Sequence, residues 1–96
     1  MFIWWSTPAT RQLAAAHEYI ASDDEAAATE TTNHIWDSVD ILMRHPYAGR
    51  KGRVAGTREL VISGTPFLVA YRIEKNEVHI LAVLHAAREW PEELAG

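Results

Sequence analysis

The sequence predicts an α+β domain: an N-terminal strand, a two-helix hairpin, then a three-stranded antiparallel meander forming one sheet, with a short C-terminal tail or helix. Three observations predict it. A short aromatic run, Phe2-Ile3-Trp4-Trp5, precedes the first helix signal. Apolar residues then recur at helical spacing from Leu13 to Leu42. Three short apolar runs divided by turn residues fill positions 58–85. Because one core organises roughly 100–150 residues, residues 1–96 are expected to form a single domain.

Taken in order, Phe2 to Trp5 is β-prone and reads as the first strand. Thr7-Pro8 starts a helix, with a hydroxyl at the N-cap and a proline at the first helical position, where its missing N–H costs nothing. Leu13, Ala16, His17 and Ile20 form its stripe, with Arg11, Gln12 and Glu18 off it. Ser22 and Glu25 fit a capping box for a second helix, whose first turn carries acids where the helix dipole favours them. Ile35, Val39 and Leu42 share one face of that helix, flanked by Trp36 and Met43, and Trp36 is expected in the core. The helix should end near Arg44-His45, just before Pro46.

Tyr47 to Gly56 contains Gly49, Gly52 and Gly56 and reads as a loop or an irregular strand bent by glycine. Arg58 to Ile62 leads into the turn Ser63-Gly64-Thr65-Pro66. Phe67 to Ile73 leads into a second turn, Glu74-Lys75-Asn76-Glu77. Val78 to Leu84 is almost wholly apolar, as expected of a strand covered on both faces. Such short connections join neighbouring antiparallel strands.

Composition removes several classes of function. With 48% apolar and 23% charged residues, the balance is that of an ordinary globule. No apolar run approaches the roughly 18 residues of a membrane span, and no secretory signal is visible, so a cytoplasmic protein with no membrane contact is expected. There is no cysteine, hence no disulfide and no thiolate metal site. The net charge of −4 is unevenly spread. Residues 1–43 hold one base, Arg11, against seven acids; residues 44–58 hold Arg44, Arg50, Lys51, Arg53 and Arg58 with no acid; residues 59–96 hold three bases and six acids. Positive charge confined to one segment suits a local acidic target or partner peptide better than a long phosphate track.

No G-x-S-x-G, P-loop or H-E-x-x-H pattern is present. His79 and His85, six residues apart on one strand, are expected on the same face but roughly 20 Å apart, too far to share a metal, and neither a metal nor a cofactor is expected. What remains is a basic and aromatic group near the strand ends: Arg58, Arg72, His85, Arg88 and Trp90. In one reading Arg58 and Arg72 merely pair with Glu59, Glu74 and Glu77 across strands. In the other, cations stabilise a phosphate during RNA cleavage, with His85 as acid or base, although His85 falls toward the far end of the sheet. Trp4 and Trp5 alternate across their strand, so one faces inward and the other is an interface anchor. Trp90 is open between packing and contact.

Four motifs in order then resemble a known family. They are Pro46-x-x-Gly49-Arg50; Thr57-Arg58-Glu59-Leu60-Val61-Ile62; Pro66-Phe67-Leu68-Val69-Ala70-Tyr71-Arg72-Ile73; and Ile80-Leu81-x-Val83-Leu84-His85-x-Ala87-Arg88-x-Trp90-Pro91. Together with the Trp5-x-x-x-Ala9 helix start, they resemble the RelE/ParE family of bacterial toxins over nearly the whole chain. The resemblance implies a growth-inhibiting, plasmid-stabilising toxin of a type II toxin–antitoxin pair, held inactive in a hetero-oligomer by a cognate antitoxin. It also implies one of two targets. RelE-like members cleave mRNA in the ribosome with cationic residues on the sheet, whereas ParE-like members poison DNA gyrase.

Residue by residue, the RelE-type arginine that opens the strand starting at Pro66-Phe67 is here Phe67. The arginine after the last strand is retained as Arg88. Of two basic positions on the preceding strand, Arg58 matches and Leu60 does not. Val83-Leu84-His85 is more like ParE members. The expectation is therefore a ParE-like toxin that acts by binding DNA gyrase. A ribosome-dependent mRNA endoribonuclease using Arg58, Arg72, His85 and Arg88 is the alternative, and a relic that only binds its antitoxin is a third. Partner contacts are expected at Trp4, Trp5, Arg50, Lys51, Arg53 and Trp90.

Overall fold

The first and last strands in sequence pair with each other. In the computed structural model, which describes residues 1–86, β1 (Phe2–Trp5) runs parallel to β5 (Glu77–His85), from Phe2 opposite Glu77 to Trp5 opposite Ile80. Between them lie α1 (Thr7–Ala21), α2 (Glu25–Asp40), a 3₁₀ turn (Ile41–Met43), β2 (Arg50–Lys51), β3 (Arg58–Val61) and β4 (Phe67–Glu74). The predicted meander is β3, β4 and β5, antiparallel throughout. The glycine-bent segment supplies the short β2, which pairs with β3, so the mixed sheet runs β1-β5-β4-β3-β2. No helix among the described residues is long and apolar enough to cross a membrane.

Both helices are capped one or two residues away from the expected positions. The N-cap of α1 is Ser6, not Thr7, and Pro8 follows at the second helical position. Ser6 is pinned against β5, its N–H on Ile80 O at 3.0 Å and its hydroxyl on Leu81 O at 3.1 Å, and the same oxygen accepts Ala9 N–H at 3.1 Å. The proposed Ser22–Glu25 box does not form. Ser22 keeps helical backbone (φ −61°, ψ −22°) and donates to Tyr19 O at 2.7 Å. Asp24 has the extended backbone a cap requires (φ −151°, ψ 102°) and accepts Ala27 N–H at 3.1 Å.

The core is the layer between the helical hairpin and one sheet face. Ile35, Val39 and Leu42 are fully buried, as their spacing predicts, against Ala9, Leu13, Ile62, Val69, Tyr71, Val78, Ile80 and Val83. Each such aliphatic side chain contributes about 1.5–3 kcal/mol by leaving water. Of the α1 stripe only Leu13 is fully buried; Ala16, His17 and Ile20 are half-buried toward the turn that joins the two helices. Trp36 is not core. It is 43% exposed, rotated one residue off the stripe, and its ring instead tilts against Trp5 at 4.6 Å.

A β-bulge in β5 changes which side chains share a face. Ala70 pairs with Ala82 and Tyr71 with Ile80, leaving Leu81 unopposed. Val78, Ile80 and Val83 consequently all face the helices, while Ala82 and Leu84 turn to the other face and form a second buried group with Leu68 and Ala70. His79 and His85, expected on one face, therefore stand on opposite faces. His79 lies beside Arg72, and His85 packs edge-on against Phe67 at 5.8 Å.

Beyond the end of β1, α1 seals the edge of β5. Ser6 covers Ile80 and Leu81 as described, and the Gln12 amide oxygen accepts Val83 N–H at 2.9 Å. Gln12→Leu keeps the side-chain bulk and removes that acceptor. An unpaired, partly buried N–H costs about 1–3 kcal/mol. Urea unfolding should show a loss of that size for Gln12→Leu, and Gln12→Glu, which keeps an acceptor oxygen, should recover most of it.

Candidate partner-binding surface

Two buried polar side chains organise the basic segment from Arg44 to Arg58. The first is Tyr71 on β4. Its ring lies in the core, and its hydroxyl donates to Pro46 O at 2.7 Å while accepting Gly49 N–H at 2.9 Å. Burial pushes the phenol up from its usual value, opposed by the Gly49 N–H and by the nearby Arg58 charge. Gly49 is required here, since a Cβ would meet the Tyr71 hydroxyl at 2.6 Å and Glu59 O at 2.9 Å.

The second is Glu59 on β3, only 2% exposed. It accepts from the Arg53 backbone N–H at 2.9 Å, Arg50 Nη2 at 3.1 Å and Arg53 Nε at 3.2 Å. Burial alone would raise its pKa, but these donors outweigh burial and hold the carboxyl below its usual range. The segment from 44 to 58 holds no carboxylate of its own to pair with these cations. Arg50 and Arg53 instead close on one buried acid of the neighbouring strand, which the register places opposite Arg50. Lys51 is exposed.

Of the alternative, RNA-cleaving set, the described members Arg58, Arg72 and His85 are not brought together. Arg58 donates to Gly49 O at 2.6 Å and lies over the Tyr47 ring at 4.9 Å, and among the described residues it does not make the expected cross-strand pair with an acid. Arg72 is one residue beyond Arg58's partner Tyr71 and so projects from the opposite face, pairing with Glu74 at 3.4 Å. His85, opposite Phe67, lies five residues along β4 from Arg72, roughly 17 Å by strand rise. Arg88 and Trp90 lie outside the described residues.

At the other edge of the sheet, β1 presents aromatic surface. Trp5 faces inward, packed on the core. Trp4 faces outward and is 58% exposed; its indole N–H donates to Glu77 at 3.2 Å and its ring stacks on His79 at 6.3 Å. The same glutamate meets His79 Nε2 at 3.2 Å. Phe2, on the same face as Trp4, is 75% exposed. Among the described residues β1 has a strand neighbour on one side only. This combination of open strand edge and oriented aromatic rings is what an extended partner segment uses.

The Tyr71 clamp, the Arg58–Tyr47 contact and the Gln12 seal were not anticipated from sequence. The first left a trace in the spacing of Pro46 and Gly49 ahead of a tyrosine-bearing strand; the other two left none.

Comparison with known proteins bears on the family and the fold. Residues 3–90 match the model of a family described as the ParE toxin of type II toxin–antitoxin systems, parDE. The chain is 41% identical over 92 residues to the Sinorhizobium fredii protein Y4kP, which carries a toxin designation, covering 96% of this chain and 95% of that protein. It is 32% identical over 84 residues to Toxin RelE2 of Caulobacter vibrioides, covering 88% of this chain and 93% of the relative. Among solved structures, a chain of the chromosomal ParDE toxin–antitoxin system from P. aeruginosa superposes with a TM-score of 0.79 at 26% identity, covering 88% of this chain and 95% of that one.

The Glu59 arrangement has a pH signature. A carboxyl held below its usual value of 4.5 stabilises the fold fully above that pH and loses its contribution as pH falls through the lowered value. Glu59→Gln, which gives up charge-assisted bonds, should cost about 1.5–3 kcal/mol at neutral pH. Denaturant titrations should show the gap between wild type and Glu59→Gln narrowing once pH drops below the ordinary glutamate range.

Proposed function

The chain belongs to the RelE/ParE family of type II toxin–antitoxin toxins, and from that membership we propose that it arrests growth in the ParE manner, by binding DNA gyrase in the cytoplasm, and is silenced by a cognate antitoxin. One observation carries the choice of target. Arg58, Arg72 and His85 are separated by sheet face and by strand length, and Phe67 stands where a phosphate-binding arginine would open β4. Each missing donor at a developing charge costs on the order of 10²–10³ in rate, so a set dispersed in this way is a poor phosphodiester catalyst. Docking on a protein target needs no such convergence.

The test is direct. Purified protein should inhibit ATP-dependent supercoiling by gyrase and leave ribosome-bound message intact, and His85→Ala and Arg88→Ala should expose no nuclease defect. Codon-dependent cleavage of ribosome-bound message, abolished in Arg88→Ala, would establish the endoribonuclease instead. Loss of neither supercoiling nor message would mark a relic that only binds its antitoxin.

The antitoxin contact is best supported at β1, with Trp4 as anchor. Co-expression with the adjacent small open reading frame should yield a soluble complex. Trp4→Ala should weaken that complex by about 2 kcal/mol, roughly thirtyfold in Kd, as expected of a tryptophan anchor. Calorimetry giving the same Kd for both proteins would remove β1 from the interface.

A further inference from the structure

The turn that leaves the 3₁₀ segment frames an open hollow of about 520 Å³, lined by Arg44, His45, Pro46, Tyr47 and Ala48. It is held rigidly from behind. Ala48 N–H closes the turn on His45 O at 3.0 Å, and the Tyr71 hydroxyl fixes both Pro46 O and Gly49 N–H. The Tyr47 ring is 68% exposed, yet Arg58 backs one of its faces. The Arg44 side chain is exposed and has no ion-pair or hydrogen-bond partner among the described residues. No acid occurs between residues 44 and 58, and Glu59, the next in sequence, is occupied by Arg50 and Arg53.

We propose that this hollow docks an acidic peptide segment that places one bulky apolar side chain on Pro46 and Tyr47 and a flanking carboxylate on Arg44. The proline ring, tyrosine ring and alanine methyl give an apolar floor. The guanidinium at its rim matches a carboxylate bidentately. Charge complementarity selects the occupant. A nucleic acid draws its affinity from many neutralised phosphates, and the seven acids of the first 43 residues work against a long polyanion. A short acidic segment meets only the local positive field. For the identity of the partner the proposal rests on the toxin–antitoxin reading, with the antitoxin presenting the segment. The chemistry of the hollow stands apart from that reading.

A fluorescein-labelled peptide of glutamates flanking a single leucine serves as the probe, followed by fluorescence polarisation at low salt. Wild type should bind it, with affinity fading as salt rises. Arg44→Ser and Tyr47→Ser should each weaken binding about tenfold. Lys75→Ser, which removes an exposed cation from the β4–β5 turn, should change nothing. Replacing the glutamates by glutamine, or the leucine by serine, should weaken binding at least as much as the Arg44→Ser and Tyr47→Ser substitutions. Unchanged binding in Arg44→Ser and Tyr47→Ser, or tighter binding of oligothymidylate than of the peptide, would overturn the proposal. The two readings fail separately. If the Arg44→Ser/Tyr47→Ser double variant assembles with the antitoxin at the wild-type rate, the hollow is not its docking point and the toxin–antitoxin reading stands. If the peptide binds but no antitoxin complex forms, the hollow stands and that reading falls.

Discussion

A phenol hydroxyl cannot be buried without partners, and the fold around Tyr71 is built on that requirement. Its ring belongs to the layer under the helices, while its oxygen reaches the backbone on both sides of the Tyr47-Ala48 pair. Leaving either bond unmade would cost about 1–3 kcal/mol. The turn after α2 is therefore held to the centre of the sheet. Arg58 then adds a third tie, to the carbonyl of Gly49. From this one side chain follow the glycine at position 49, the course of the segment into β2, and the pose of Tyr47.

The same logic turns a concentration of positive charge into ordered structure. Five bases without a local acid would repel one another as a mobile loop. Glu59 enters from β3, almost wholly desolvated, and gathers two of them. Because the guanidiniums remain partly in water while the carboxylate does not, most of the desolvation falls on the acid, and three donors offset it. Arg58 is drawn toward a carbonyl and a ring. Arg44 and Lys51 are left facing outward, so the positive surface is smaller than the sequence suggests and better defined.

Much of the architecture is legible in the chain, and what is not has identifiable causes. Ile35, Val39 and Leu42 announce a buried helix face because helical periodicity is local. Ser63-Gly64 and Lys75-Asn76 announce the hairpins for the same reason; Gly64, Lys75 and Asn76 all adopt positive φ. The inward and outward roles of Trp5 and Trp4 follow from strand alternation. The parallel pairing of β1 with β5 does not, since it joins residues with no local signal linking them. The Leu81 bulge is hidden because Ile80 to Leu84 is apolar throughout, so no polar residue marks the point where alternation slips. That slip is why the two histidines were placed on one face. At the candidate site, the cluster of bases was visible, but its buried partner was not: a glutamate in Arg-Glu-Leu-Val reads as a surface residue until register sets Arg50 opposite it.

The pairing of the outer strand also carries a kinetic consequence. Ser6 meets Leu81 across 75 residues of chain. Contacts of such long range form late, because closing so large a loop sacrifices entropy before any strand pairing repays it. At a synthesis rate of about 5–20 residues per second, β1 emerges from the ribosome roughly 4 to 15 seconds before β5 exists to receive it. During that interval two tryptophans and a phenylalanine stand on an unpaired strand in a nascent chain. A protein with this topology is exposed to capture along its aromatic strand before it has completed the sheet on which any mature activity depends.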